Sequence, residues 1–366
     1  MDERTREHAA VLVEWSARVE AGDDVVLSVG PDAHELAVAV AEELGERGAN
    51  LLATYDSGEI TRAYLQAHDD EFEAPTHERA LLEETDVYLS LGGGRNTSAT
   101  ADVPGETRQA YRSARTAVRE ARYDTRWVST VHPTRSLAQQ ANMSYEEYRE
   151  FAYDAILRDW ESLAEEMDRL KELLDEGSKV RLVSSGTDLT MRIDGRTAVN
   201  SAASVAYDSH NLPSGEVFTA PYGTEGEVAF DVPMTIRGEP VRNVRLEFAD
   251  GEVVDHDAEQ GASVIEAVLE TDDGARRLGE LGVGMNRGID RYTDNILFDE
   301  KMGETVHLAV GRAYDACLPD GESGNDSAVH ADLITDVGEE SRLEIDGEVV
   351  QRNGSFRWED GFEERR

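Results

Sequence analysis

The chain has 366 residues, of which 39% are hydrophobic, and a formal net charge of −41 from 77 acidic and 36 basic residues. This charge argues against nucleic acid as a partner, because binding nucleic acid requires a basic surface. The sequence contains no run of about 18 apolar residues, which argues against a membrane-spanning helix. The single cysteine, Cys317, cannot form an intrachain disulfide. The charged first residues lack the apolar core of a signal peptide, so we predict a cytoplasmic protein.

The first half of the chain alternates strand-like and helix-like segments. Predicted buried strands lie at 24–29, 50–55, 86–91 and 126–131, and helical spacing lies between them, notably at 33–48 and 105–122. Such alternation predicts a parallel sheet with crossover helices. Residues 144–176 carry a stripe of aromatic and aliphatic side chains at helical spacing, which predicts helical structure and is typical of core packing rather than of a cofactor site.

Beyond Gly177 the pattern changes. Short strand-like runs alternate with Asp-Gly or Gly turns, which is the signature of β-hairpins. One helical interlude is predicted at 261–281, with Glu280 near its end. We therefore predict an α/β N-terminal domain over 1–176 and a β-rich α+β C-terminal domain over 177–366.

A glycine-rich loop, "LGGGRNT" at 91–97, follows one of the predicted parallel strands. Such a loop is able to cradle a phosphate group. However, it does not match G-x-G-x-x-G, and no P-loop lysine follows it. We interpret it as a plain turn at the end of a strand.

The polar residues that stand out lie in the second half of the chain. Each has a simple structural explanation when taken alone: a capped turn, a solvated helix residue, a satisfied core histidine or a buried hydrogen-bonded pair. The fragment "SAVHADLITD" at 327–336 reads as a strand, so its imidazole and carboxylate, two residues apart, point to one face. The candidates are Glu216, Glu280, His307, Tyr314, His330 and Asp332.

Taken together, these residues predict a metal site. Several lie in apolar runs, where an unpaired polar group costs about 1–3 kcal/mol. A mixture of imidazole and carboxylate suits zinc, cobalt or manganese better than calcium. Five or six ligands are too many for one tetrahedral ion and suit two ions roughly 3.5–4 Å apart.

Four blocks in order carry a resemblance to a known family. They are "PSGEVFTAP", "LGELGVGMN", "LFDEKMGETVHLAVGRAY" and "GNDSAVHADL". With these blocks the chain resembles the thermophilic aminopeptidase family of dinuclear metallopeptidases, and the resemblance extends over nearly the whole sequence. Position by position, it implies that the metal ligands are Glu216, Glu280, His307, Tyr314, His330 and Asp332.

The resemblance also implies a function. The expected activity is removal of N-terminal residues from peptides by a water that two divalent ions activate. Glu216, Glu280 and Tyr314 are the expected catalytic residues, and which carboxylate transfers the proton stays open. A homodimer is expected as well, and no cofactor other than the metal ions.

Two other functions compete with this reading. The first is a nucleotide-binding module that uses Gly92–Gly94, which leaves the histidines and carboxylates unexplained. The second is a different metallohydrolase, such as an amidase or a carboxypeptidase. Metal content separates the first from an enzyme, and peptides with blocked N-termini separate the second from an aminopeptidase.

The excess of acid itself predicts a dependence on salt. The acidic residues are spread along amphipathic segments, which indicates a solvated surface. Neighbouring surface carboxylates repel one another unless they are screened, and the screening length falls from about 10 Å at 0.1 M salt to about 3 Å at 1 M. We interpret the surface as an adaptation to the salty cytoplasm of a salt-loving organism. The alternative is an unusually acidic protein of a mesophile.

The thermal unfolding midpoint should therefore rise steeply between 0.1 M and 2 M KCl, with much of the gain by about 1 M because screening saturates. Chloride and sulfate should both produce the gain. Calorimetry or circular dichroism across a salt series measures it. A midpoint that stays flat across this range would show that the acidic surface is not a salt adaptation.

Overall fold

The computed structural model describes residues 1–69, 71–319, 321–360 and 362. They form two compact units, Met1–Arg158 with Ala203–Pro213, and Asp159–Ala202 with Ser214–Arg366. Residues 203–213 thus return to the first unit after the chain has entered the second. The last predicted helix of the first domain, up to residue 176, lies in the second unit from Asp159 onward. The domain boundary near residue 177 stays a prediction.

Helices and strands are numbered in chain order. The helices are α1 (Glu3–Ala10), α2 (His34–Arg47), α3 (Gly58–Ala67), α4 (Thr76–Glu83), α5 (Gly105–Ala114), α6 (Thr116–Tyr123), α7 (Arg135–Gln140), α8 (Tyr145–Ile156), α9 (Trp160–Glu176), α10 (Ala262–Leu269) and α11 (Ile296–Asp299). The strands are β1 (Asp24–Val29), β2 (Asn50–Tyr55), β3 (Val87–Gly92), β4 (Arg126–Val131), β5 (Lys179–Ser184), β6 (Thr187–Arg192), β7 (Val199–Ser201), β8 (Asn211–Leu212), β9 (Glu216–Thr219), β10 (Tyr222–Phe230), β11 (Met234–Ile236), β12 (Glu239–Ala249), β13 (Glu252–Gln260), β14 (Leu278–Gly284), β15 (Thr305–Gly311), β16 (His330–Asp336), β17 (Arg342–Ile345), β18 (Glu348–Arg352) and β19 (Ser355–Phe356). None of the described helices is long and apolar enough to cross a bilayer.

The first unit contains a parallel sheet in the order β2-β1-β3-β4-β8. Val25 on the interior strand β1 pairs with Leu51 on one side and Val87 on the other. Residues 25–29 are all buried, as expected for a strand covered on both faces. The predicted α/β fold with crossover helices is therefore confirmed. The fifth strand, β8, comes from the returning segment and was not predicted.

Two of the predicted helical segments each contain two helices. The segment 105–122 divides into α5 and α6 at Arg115, and the segment 144–176 divides into α8 and α9 between Leu157 and Asp159. The second break has a clear physical cause. Asp159 is the N-cap of α9, and its carboxylate accepts a hydrogen bond of 3.1 Å from the Ser162 nitrogen. This capping carboxylate starts a new helix where apolar periodicity alone shows continuity.

The second unit is rich in antiparallel strands, as predicted. One sheet has the order β11-β12-β10-β6-β5-β17-β18-β19, with β13 paired to β12, and a second sheet has the order β16-β15-β14-β9-β7. The Asp-Gly turns are in the expected places. Asp250 and Gly251, between β12 and β13, both have positive φ, at 52° and 81°. This conformation suits the type I′ turn that connects tightly twisted hairpin strands.

The helix predicted over 261–281 is wrong in its second half. Only α10, at Ala262–Leu269, is an α-helix, and Glu280 lies on strand β14. Every residue of β14 is buried. A strand that is buried on both faces has no polar alternation, so its sequence does not distinguish it from a buried helix.

A buried histidine connects the first helix to the parallel sheet. The Nε2 atom of His8 on α1 lies 2.8 Å from Thr130 Oγ1 on β4, and His8 is fully buried. Burial, with a smaller contribution from His132, lowers the pKa of His8 from 6.5 to about 3. Between these pH values, His8 is neutral in the folded protein and protonated in the unfolded chain.

The free energy of unfolding should therefore fall as the pH drops from 6.5 towards 3, because the unfolded state binds the additional proton. His8 should contribute up to about 1.4 kcal/mol per pH unit to this slope. The variant His8→Gln keeps a hydrogen-bonding side chain but cannot titrate, so its slope should be shallower. Denaturant unfolding at several pH values measures it. The exposed His34→Gln is the control, and equal slopes in both variants would contradict the assignment.

Candidate metal centre

Four neighbouring strands of the second unit carry five of the six predicted ligands. Glu216 begins β9, Glu280 lies on β14, His307 lies on β15, and His330 and Asp332 lie at the start of β16. The sheet order β16-β15-β14-β9 places these strands side by side. Ligands that are up to 116 positions apart in sequence are thereby brought to one region.

The strand register places these side chains on one face of the sheet. Directly opposed residues of neighbouring strands share a face, and so do residues two positions apart in one strand. On β14, Glu280, Gly282 and Gly284 share a face, and the two glycines are opposite His307 and Glu216. The two ligands of β16 join the same face by the same rule across β15.

Small residues separate the ligands on this face. They are Gly282, Gly284, Ala309 and Gly311. The absence of a side chain at Gly282 is essential, because a Cβ there would lie only 2.0 Å from the Nε2 atom of His307. The glycines and the alanine on this face therefore leave the space that the larger ligand side chains occupy.

Glu216, Glu280 and His307 form the first group of possible ligands. The Nε2 atom of His307 lies 3.2 Å from Glu280 Oε1 and 3.3 Å from Glu216 Oε2. All three residues are buried, and their ligand atoms lie within 4.8 Å of one another. Three donor groups of this kind are sufficient to hold a divalent cation.

Glu280, His330 and Asp332 form the second group. The Nε2 atom of His330 lies 3.2 Å from Glu280 Oε2 and 3.5 Å from Asp332 Oδ1. Its Nδ1 atom lies 2.8 Å from the Arg312 carbonyl oxygen, which only accepts hydrogen bonds. Nδ1 therefore carries the proton, and in the neutral ring Nε2 offers its lone pair to a cation.

The protonation equilibria indicate a strongly negative centre. Burial raises the pKa of Glu216. Burial opposes ionisation of Glu280 too, but hydrogen bonds from His307 and His330 outweigh it and lower its pKa to about 2. Burial lowers the pKa of His330, whereas Asp332 and Glu280 outweigh it and raise the pKa to about 11. The carboxylates thus stabilise positive charge on His330, and a divalent cation would compete with protons for the same atoms.

The donor set fits two metal ions. The two groups share Glu280, whose Oε1 faces His307 and whose Oε2 faces His330. Glu280 would therefore be able to hold a cation with each of its oxygens. Glu216 Oε2 is buried and accepts no hydrogen bond from the described residues, so a bound cation would satisfy it. The ligand assignments themselves stay predictions.

Tyr314 lies beside the second group on the segment that follows β15. Its ring centroid is 4.9 Å from that of His330 and 5.6 Å from that of Phe218, and 47% of the residue is exposed. Burial of its hydroxyl and the neighbouring Glu280 raise its pKa. Tyr314 is therefore protonated at neutral pH and able to donate a hydrogen bond.

Sequence reasoning missed three features of the site. Lys301 is fully buried, and its Nζ lies 3.3 Å from Glu216 Oε1. Gly282 leaves space for His307, and the Arg312 carbonyl orients His330. Only the lysine could have been noticed in the sequence. The chain has three lysines, and one of them, Lys301, lies in the sequence block that contains His307.

A cavity in the first unit is separate from these groups. It has a volume of about 630 Å³, and its lining includes Tyr88, Arg112 and Arg122 but none of the predicted ligands. Among the described residues, Gly92–Gly94 do not line it either. Gly93 instead packs against the loop after β1, where a Cβ would lie 2.9 Å from the Ala33 nitrogen. Close packing of two loops thus accounts for this glycine.

The substitution Gly282→Ala should displace the imidazole of His307, because the added methyl group overlaps the ring. We expect a loss of about 1–3 kcal/mol in the free energy of unfolding, as for other overpacked sites. Metal affinity should fall by roughly 10-fold or more, as when groups that orient metal ligands are changed. Denaturant unfolding and calorimetric titration with Zn²⁺ measure the two effects.

The control is Gly45→Ala on α2, where a Cβ meets no atom within 4 Å. This substitution should stabilise the helix by roughly 0.5–1 kcal/mol and leave metal binding unchanged. An unchanged Zn²⁺ affinity of Gly282→Ala would show that His307 is not a metal ligand.

Comparison with known proteins identifies the family. The family model for thermophilic metalloproteases, M29, matches residues 1–356. Aminopeptidase PepS of Streptococcus thermophilus is 26% identical over 96% of this chain and 95% of its own length. Aminopeptidase T of Thermus aquaticus is 28% identical over 93% of each chain.

A solved structure, wild-type AmpT from Thermus thermophilus, has the same fold. It superimposes with a TM-score of 0.84 at 24% sequence identity, over 97% of this chain and 99% of the other. The resemblance inferred from the four sequence blocks is confirmed by the family match. The chain belongs to the thermophilic metalloprotease family M29 and is a peptidase.

Proposed function

We propose that this protein is an aminopeptidase with two divalent metal ions. The observation that carries the proposal is the pair of ligand groups that share Glu280, within a chain of a metalloprotease family. The relatives named above are aminopeptidases, which supports the proposal that the protein cleaves peptides from the N-terminus. Zinc, cobalt and manganese fit a donor set of imidazoles and carboxylates.

The ligands would divide between two ions. Glu216 and His307 would hold one, His330 and Asp332 would hold the other, and Glu280 would bridge them. Tyr314 would complete the second site or donate to the substrate. When bound, the ions would supply Lewis acidity and an activated water for hydrolysis of the peptide bond.

The residues of the chain would then perform three tasks. The carboxylates would attract the α-ammonium group of the substrate, which explains a requirement for a free N-terminus. The protonated hydroxyl of Tyr314, which is partly exposed, would donate a hydrogen bond to the carbonyl oxygen of the scissile bond. Glu216 and Glu280 are both candidates for the transfer of a proton to the leaving amine.

The remaining features of the proposal come from the sequence. Peptides with a free N-terminus are the proposed substrates, and a homodimer in the cytoplasm is the proposed state. Neither the nucleotide-binding module nor another metallohydrolase gains support from the family match. The choice between an aminopeptidase and an amidase or carboxypeptidase depends on the substrate test below.

The purified protein should contain close to two divalent ions per chain, by elemental analysis. It should hydrolyse a free aminoacyl-anilide and lose this activity with a chelator, and Zn²⁺, Co²⁺ or Mn²⁺ should restore it. The N-acetylated anilide should not be cleaved, because it lacks the ammonium group. Full activity in a metal-free sample, or equal cleavage of the blocked substrate, would refute the proposal.

The variant His330→Ala should abolish activity, because it removes a ligand from the second group. The matched control is His68→Ala, since His68 lies at the end of α3 in the first unit and outside both ligand groups. If both variants lost activity to the same extent, the assignment of His330 would be wrong.

A further inference from the structure

We propose that Lys301 is a positioning residue that holds Glu216 so that only one of its oxygens, Oε2, faces the metal centre. The inference rests on the proposed function, because it concerns the binding of metal by Glu216. It adds a residue that neither the sequence blocks nor the ligand set identified.

Burial of Lys301 first requires an explanation. The side chain is 0% exposed and lies in a salt bridge with Glu300 and, at 3.3 Å, with Glu216 Oε1. A lysine is almost never fully buried unless it is paired. Its desolvation is therefore offset by these two carboxylates, and its position in the site is specific.

The two oxygens of Glu216 have different surroundings. Oε1 lies beside the ammonium group of Lys301, whereas Oε2 lies 3.3 Å from His307 Nε2 and accepts no hydrogen bond from the described residues. One oxygen is thus occupied by a fixed cation, and the other is directed at the first ligand group. A carboxylate held in this way binds a metal ion through one oxygen rather than two.

The backbone explains why Lys301 is so close to a residue 85 positions earlier in the chain. The Asn286 side chain donates to the Ser214 carbonyl at 2.8 Å, and its backbone nitrogen lies 3.1 Å from the carbonyl oxygens of Gly215 and Lys301. Asn286 therefore joins the segment that leads into Glu216 to the segment that contains Lys301. The backbone nitrogen of Gly303 in turn donates a hydrogen bond of 3.1 Å to the Asn286 carbonyl oxygen, which adds a second link between the two segments.

This arrangement predicts a specific defect. Without the ammonium group, Glu216 is free to turn and to bind the ion through both oxygens, so the coordination number rises. Co²⁺ reports such a change directly, because its visible absorption weakens as its coordination number increases. A residue with a purely structural role would change the stability of the protein and leave this spectrum unaltered.

The experiment compares Co²⁺-loaded wild type with Lys301→Met and Lys301→Gln. In Lys301→Met, the visible absorption per bound ion should fall below that of the wild type, and kcat should fall roughly 10-fold or more with a nearly unchanged KM. Lys301→Gln should be intermediate, because a neutral amide still donates a hydrogen bond to Oε1 but a weaker one. The glutamine also keeps a polar partner for Glu216, so this variant tests the proposal if Lys301→Met does not fold.

The matched control is Lys171→Met, which removes a half-buried lysine paired with Asp175 on α9, far from the ligand groups in sequence, and should resemble the wild type. A spectrum and kcat of Lys301→Gln equal to those of the wild type would overturn the proposal. Equal losses of absorption and of kcat in both Lys301 variants would overturn the proposal as well. They would show that the positive charge of Lys301, and not its hydrogen bond to Oε1, causes the effect. If the wild type itself binds no Co²⁺, the proposed function fails instead, so the two failures are distinguishable.

Discussion

The convergence of three carboxylates on two imidazoles, on one face of a buried sheet, is the interaction on which the rest of the second unit depends. Carboxylates so close together repel one another, and burial removes the water that would screen them. The imidazoles and Lys301 offset part of this negative charge. Divalent cations are the ligands that such a cluster is suited to bind, which connects the electrostatics of the sheet with the family to which the chain belongs.

Building this cluster on strands, rather than on loops, gives it rigidity. The five proposed ligands on β9, β14, β15 and β16 are held by strand pairing, and their spacing follows the register of an antiparallel sheet. Donor atoms of a metal site have to be placed to within about 0.5 Å. A central sheet with glycine and alanine between the ligands meets this demand, because the backbone cannot shift without breaking several hydrogen bonds.

The acidic residues of this chain belong to two physically different populations. Most of those in the described part of the chain are exposed or half-buried, where water and salt screen them, and many pair with arginine. The few in the metal centre are buried or half-buried, and a histidine or Lys301 lies beside each of them. The same residue type thus serves solubility on the outside and cation binding on the inside, and composition alone does not separate the two uses.

Local sequence determined much of this protein. Continuous apolar runs specified the parallel strands, Asp-Gly pairs specified hairpin turns, and four ordered blocks indicated the family and named Glu216, Glu280, His307, Tyr314, His330 and Asp332 as site residues. The i, i+2 spacing of His330 and Asp332 already placed them on one face of a strand. These features depend on residues that are close together in the chain, so local periodicity and turn-forming residues predict them.

Only the tertiary structure decided the rest. Glu280 lies on a strand because both faces of β14 are covered, and this burial removes the alternation that would have revealed it. Gly282 makes room for the imidazole because the strand register places it opposite His307. Lys301 lies beside Glu216 because hydrogen bonds of Asn286 connect their two segments. Each of these facts is a contact between distant parts of the chain, and the pairing of strands, rather than any local pattern, determines which distant residues meet.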